Sequence, residues 1–193
     1  MLGWLKRKLQ SPNPTELASE ELMAACERFW GPPTGDYAEY VRAYSELANR
    51  GPEIRDWCRR LLTHPDNSAR ESGAFLLGQL GARGQLGDAV ETVVGELGAL
   101  TARPIEEDAK ELQAVDAAVA ALAKIGHQAA VPYLRAVLLS DDEFLAGDSQ
   151  WSAADALGRL VGHSFMHSPD PVGAARTWLS SNTSSSIDTR PQS

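Results

Sequence analysis

The chain has 193 residues, 43% of them apolar and 23% charged, which suits one folded domain with a core and argues against wholesale disorder. The net charge is −8 and it is uneven: residues 86–155 hold thirteen acids and four bases, a net of −9, while residues 1–85 hold eleven of each. Such a middle repels phosphate backbones, so nucleic acid is excluded as a partner and a basic protein is favoured.

Ala, Leu, Glu, Gln and Arg are abundant, and no run shows sustained period-two alternation, so the chain reads as helical. Residues 2–10 form a short amphipathic segment with Leu2, Leu5 and Leu9 at helical spacing, stopped by Ser11-Pro-Asn-Pro14. Thr15 caps a helix that ends at Gly31-Pro-Pro33. Asp36 caps a third helix, through Tyr37, Tyr40, Val41, Tyr44 and Leu47, ended by Gly51. Pro52 suits the first turn of a fourth, with Ile54, Trp57, Cys58, Leu61 and Leu62 on its apolar side. Asp66 or Asn67 caps the fifth, which ends at Gly81. Further helices are predicted over 87–99, 106–125, 128–140, 149–162 and 170–180, with an acidic loop from Asp141 to Asp148. Residues 181–193 are Ser/Thr-rich and are expected to be disordered.

Three helix endings share one pattern: Ala74-Phe-Leu-Leu77-Gly-Gln-Leu80, Val119-Ala-Ala-Leu122-Ala-Lys-Ile125 and Ala154-Asp-Ala-Leu157-Gly-Arg-Leu160. Their shared leucines lie 45 and 35 residues apart. Small residues admit a neighbouring helix and the paired large ones fill the groove. The stretch His64-Pro-Asp66-Asn-Ser-Ala-Arg70-Glu-Ser-Gly-Ala74-Phe-Leu-Leu77-Gly-Gln-Leu80-Gly81 resembles the HEAT-repeat family of α-solenoids. Asp66 stands where that family places an Asp in the turn, and Arg70 where it places an Arg early in the second helix. Val115 and Gln150 occupy the place of Arg70 in the later units. The resemblance implies an all-α, right-handed α-solenoid of about four helix pairs over residues 15–180, with a C-terminal capping helix. The pairs are 15–30 with 36–50, 52–63 with 67–80, 87–99 with 106–125, and 128–140 with 149–162. Residues 1–14 and 181–193 then flank that domain.

In this family the second helices line the concave surface. The resemblance therefore puts Asp108, Glu111, Asp116 and Asp155 on or near it, beside the loop carrying Asp141, Asp142, Glu143, Phe144 and Asp148. Phe144 and Trp151 are the candidate aromatic anchors of a partner-binding site. The alternative is that the same carboxylates form only a solvated surface. The loop lacks the ligand spacing of an EF-hand, and His163 and His167 sit among prolines with no HExxH glutamate. No nucleophile elbow, Walker or dinucleotide fingerprint appears, so no catalytic, cofactor or metal residue is assigned. The aromatic stretch Phe29, Trp30, Tyr37, Tyr40 and Tyr44 reads as core in preference to an exposed stripe. Lys6-Arg-Lys8 is too short for stable membrane anchoring.

Cys26 and Cys58 fall in helical patterns without a CxxC, as small buried thiols; the sequence leaves a disulfide between them open. No stretch approaches the roughly 20 apolar residues of a membrane span, and the N-terminus has no secretory core, so a cytoplasmic location is expected. Arg outnumbers Lys fourteen to four, a balance associated with bacterial genomes rich in GC. Small acidic HEAT-like proteins of that kind resemble bacterial adaptors and inhibitors. The expected function is non-enzymatic binding of a basic protein partner, in its narrow form an immunity or inhibitor protein neutralising a toxin or enzyme. The rivals are a HEAT-like DNA glycosylase, a bilin lyase, or a scaffold subunit, and self-association stays open.

Overall fold

A computed structural model of the chain describes residues 17–30, 36–103 and 109–182, with the backbone alone for 109–111. Among the described residues there are nine α-helices and no strand: α1 (Ser19–Trp30), α2 (Tyr37–Leu47), α3 (Arg55–Leu61), α4 (Asn67–Ala82), α5 (Val90–Thr101), α6 (Ala109–Ile125), α7 (Val131–Leu139), α8 (Asp148–Val161) and α9 (Pro171–Asn182). The expected segment at 2–10 lies outside the described residues, as does the tail from 183. Residues 181 and 182, expected to be disordered, complete the last turn of α9.

The helices pack as the pairs α1–α2, α3–α4, α5–α6 and α7–α8, and the second helices α4, α6 and α8 lie side by side. Local chemistry sets the ends. Asp36 Oδ1 accepts from the Ala38 N–H at 2.8 Å and caps α2. Asp66 Oδ1 accepts from Ser68 and Ala69 N–H at 2.8 and 3.2 Å and caps α4. Gly162, at φ 69°, closes α8 in the left-handed conformation that a side chain would resist. Helices α3, α5 and α7 are each entered through a three-residue 3-10 turn, at Pro52–Ile54, Gly87–Ala89 and Gln128–Ala130. The same local device thus recurs at the start of three successive pairs, a structural trace of repetition.

Two layers tie the pairs together. In the first-helix layer, Trp57 Nε1 donates to Glu27 Oε1 at 2.7 Å, joining α3 to α1. Arg59 grips Glu96 with two bonds, at 2.6 and 2.8 Å, joining α3 to α5. A Cβ at Gly98 would fall within the Tyr133 ring, so glycine there lets α7 lie against α5. In the second-helix layer, Tyr40 Oη and Ser72 Oγ share a hydrogen bond of 3.0 Å between α2 and α4. Gly78 faces Ala121 so closely that a Cβ would meet the Ala121 backbone. Small residues therefore set the close approach of α4 and α6.

One core runs through the stack, from Leu22, Cys26 and Trp30 through Leu77, Leu97 and Leu122 to Leu157 and Leu179. Helix α9 ends it, with Ala175 and Leu179 buried. A terminal unit needs such a cover because no further repeat buries its apolar face.

Candidate docking face

The second-helix layer carries most of the large apolar side chains left in solvent. Six such residues are exposed among those described: Tyr37, Val41, Phe75, Leu139, Phe144 and Trp151. Tyr37 and Val41 are on α2, Phe75 on α4 and Trp151 on α8, so four of the six stand on second helices. Singly exposed apolar residues carry no message; a contact surface is marked by a contiguous patch.

Aromatic rings run from α1 across α2 to α4. Phe29 stacks on Tyr40 at 4.4 Å, Tyr40 on Tyr44 at 5.7 Å, and Tyr44 meets Phe75 at 5.8 Å between centroids. Lys124 Nζ of α6 then lies 4.8 Å above the Phe75 ring. The core reading of this aromatic stretch holds for Trp30, which is buried and stacks near Trp57, but not for Tyr37, which is 66% exposed. Tyr40 and Tyr44 meet Ser72 and Phe75 of α4, while Tyr37, at the start of α2, meets only the Phe29 and Tyr40 rings among the described residues.

The acidic residues divide into three groups. Asp141, Glu143 and Asp148 are exposed, and among the described residues none of them makes an ion pair. Asp142 is half-buried and accepts from the Phe144 N–H at 2.9 Å, which fixes the turn that carries Phe144 into solvent. Asp116 and Asp155 are engaged. The Ser149 hydroxyl donates to Asp116, joining α6 to α8, and Asp155 pairs with Arg159 one turn on at 3.0 Å. Burial raises the Asp116 pKa above the ordinary range, against the Ser149 hydrogen bond, and nearby Asp148 adds to the rise. Trp151 is 51% exposed, on the turn of α8 between Asp148 and Asp155. Asp108 and the Glu111 side chain lie outside the described residues.

From residue 136 to 158 the chain has five acids and no Lys or Arg. Arg159, just beyond the stretch, is paired with Asp155, and Arg176 of α9 is turned to the backbone and donates to the Leu138 and Ser140 carbonyls at 2.6 and 3.2 Å. The start of α8 and its preceding turn thus present carboxylates and two exposed rings together. The chain's middle charge appears there as a local patch.

A model of the PBS lyase HEAT-like repeat matches residues 115–140. The chain carries a HEAT-like repeat. The matched stretch runs along α6, through the turn at Gly126, where φ is 63°, and the 3-10 turn, to the end of α7. It therefore joins the second helix of one pair to the first helix of the next. No curated protein and no solved structure matches the chain. The strongest resemblance in the sequence is at 64–81, yet the family model matches across the third and fourth pairs.

Three of the four histidines have structural surroundings. His64 Nδ1 accepts from the Asp66 N–H at 3.0 Å, and His127 Nδ1 from that of Ala129 at 3.3 Å. His163 packs on Phe165, at 4.7 Å between centroids. Both cysteines are free and buried, and burial pushes the Cys26 thiol up to about 12. Among the described residues no group of three or more His, Cys, Asp or Glu is placed to hold a metal ion, and no helix is long and apolar enough to cross a membrane.

Proposed function

We propose that this protein is a non-enzymatic docking module that receives a basic protein partner on its second-helix layer, at the end formed by α6, α8 and the turn before α8. A HEAT-like repeat supports an interaction or scaffold role in general. One observation carries the narrower reading: Asp141, Glu143 and Asp148, which make no ion pair among the described residues, share with exposed Phe144 and Trp151 a stretch without a single Lys or Arg. Rings of this kind anchor interfaces, and a surrounding field of one sign steers an oppositely charged partner. The closest fit is an adaptor or inhibitor whose carboxylates occupy a basic groove on a toxin or enzyme.

The test begins with affinity capture and identification of the partner, followed by kinetics on the isolated pair. Asp116 is a poor target for charge reversal because it holds Ser149. Asp141 and Asp148 are the better pair. Changing both to Lys should slow association about tenfold or more at low salt. Trp151→Ala should speed dissociation with little change in stability. Unchanged affinity in both variants would sink the reading.

A further inference from the structure

Helix α4 carries two unlike side chains on its solvent side, next to α2. Glu71 and Phe75 stand one turn apart, so they are neighbours on the helix surface. Phe75 is 36% exposed, and the Tyr44 ring of α2 meets it at 5.8 Å between centroids. Tyr40 stacks in turn on Tyr44 at 5.7 Å. Glu71 is half-buried, close enough for its charge to bear on both tyrosines. Among the described residues it makes no ion pair, and burial raises its carboxyl above the ordinary range with no cation there to offset the rise. The ring beside it does hold a cation: Lys124 Nζ of α6 lies over Phe75, 4.8 Å from the centroid. Lys124 is exposed and has no acidic partner among the described residues.

We propose that Glu71, Tyr44 and Phe75 form a site for an organic ammonium ion, the side chain of a lysine on a partner protein, and that Lys124 holds the ring until that lysine arrives. Two kinds of attraction meet there. Ring faces are negative and attract a cation, and a carboxylate partly withdrawn from water gains more from one than a fully solvated carboxylate does. Glu71 supplies the charge and Phe75 the face, from one helix and one turn apart. Lys124 shows that an ammonium fits over this ring. It approaches past Gly78, where its Cδ would stand 3.6 Å from an added Cβ, about one turn beyond Phe75. Glu71 lies one turn before Phe75, so Lys124 comes from the end away from the carboxylate and leaves it unpaired. A lysine bound between Glu71 and Phe75 gains both contacts. The site lies on α2 and α4, apart from the acidic turn before α8, so it goes beyond docking at that turn and is decided separately.

Titration of the isotope-labelled full chain with N-acetyl-lysine methylamide, followed by NMR, tests this. The probe should give saturable shifts at Glu71 and Phe75 and none at Trp151. The norleucine analogue, which lacks the amine, should give none. Glu71→Gln should weaken the probe about fivefold or more, with the remaining signals in place to show that the fold is kept. Lys124→Gln should tighten it about threefold or more, because the ring is vacated and a like charge is removed. Absent shifts in both wild type and Lys124→Gln overturn the proposal, as does unchanged binding in Glu71→Gln. Equal binding of the norleucine analogue overturns it in favour of an apolar patch, and tighter binding of the arginine analogue in favour of a guanidinium site. Trp151→Ala should leave the titration unchanged, so that failure of docking at the acidic turn and failure of this site are told apart.

Discussion

The side-chain amide of Gln150 donates to the carbonyl oxygen of Ser140 at 2.9 Å. A second bond reaches the Val137 carbonyl at 3.3 Å. Arg70 does the same work in the second pair, donating to the His64 and Pro65 carbonyls at 2.5 and 3.0 Å. In both pairs a buried polar side chain on the second helix donates to carbonyls that precede it: Val137 and Ser140 at the end of α7, His64 and Pro65 in the turn after α3. The family's arginine position therefore keeps its task in the fourth pair with a neutral residue.

Gln150→Leu should cost about 1–2 kcal/mol, the worth of one or two hydrogen bonds to carbonyls that stay partly buried. Arg176 also reaches Ser140, so Gln150→Leu and Arg176→Ala together should cost more than the sum of the two single changes. Arg70→Leu should cost more than Gln150→Leu, since a charged donor is lost to two carbonyls. Urea unfolding of the four variants measures all of this.

Much of this architecture is legible in the residues. Asp36, Asp66 and Gly162 mark helix ends by chemistry that acts within one turn, and they act as expected. The repetition shows in the Leu77, Leu122 and Leu157 pattern, each leucine being buried on a second helix. The role of Gln150 is hidden, since a polar residue on a helix says nothing of carbonyls ten positions back. The split between Trp30 and Tyr37 is hidden too, because helical spacing gives a face but not what covers it. The acidic residues were readable as a count; which of them stay unpaired depends on Ser149 and Arg159, and that is set by packing.

Gly98 and Gly95 should respond in opposite directions. A Cβ at 98 meets the Tyr133 ring, whereas at 95 the nearest atom is the Tyr133 hydroxyl at 3.8 Å, an ordinary contact. Gly98→Ala should destabilise by about 1–3 kcal/mol through overpacking, and Tyr133→Ala should relieve part of that cost. Gly95→Ala should stabilise by about 0.5–1 kcal/mol through the lower chain entropy of alanine in a helix. Thermal unfolding of the three proteins and the double variant decides it.

Asp116 makes stability depend on pH in a defined direction. Burial raises its folded pKa above the ordinary value of 3.8, so the folded state holds the proton more tightly than the unfolded chain. Its contribution to stability is fully present below 3.8 and is lost as pH rises through the raised folded value. Asp116→Asn keeps an acceptor for Ser149 and removes the charge. The variant should therefore be more stable than wild type at neutral pH, with the difference shrinking as pH falls through that window. Paired denaturation curves from pH 7 to pH 4 give the slope; an advantage that grows on acidification contradicts the assignment.

The docking face offers a separation of effects that a stability change cannot imitate. Phe75 and Trp151 are both exposed rings on second helices, but Phe75 lies beneath Lys124 while Trp151 stands among carboxylates. If the partner is basic and centred on α8, Trp151→Ala should weaken binding by at least about tenfold, and Phe75→Ser should act less. Raising the salt should weaken wild type and Trp151→Ala in parallel, because the carboxylates remain in both. Asp141→Lys with Asp148→Lys should instead flatten the salt dependence, since the attraction that salt screens is gone. A partner that tolerates Trp151→Ala but is lost with Phe75→Ser would move the interface to the aromatic run on α2 and α4, and would make the acidic turn a solvated surface.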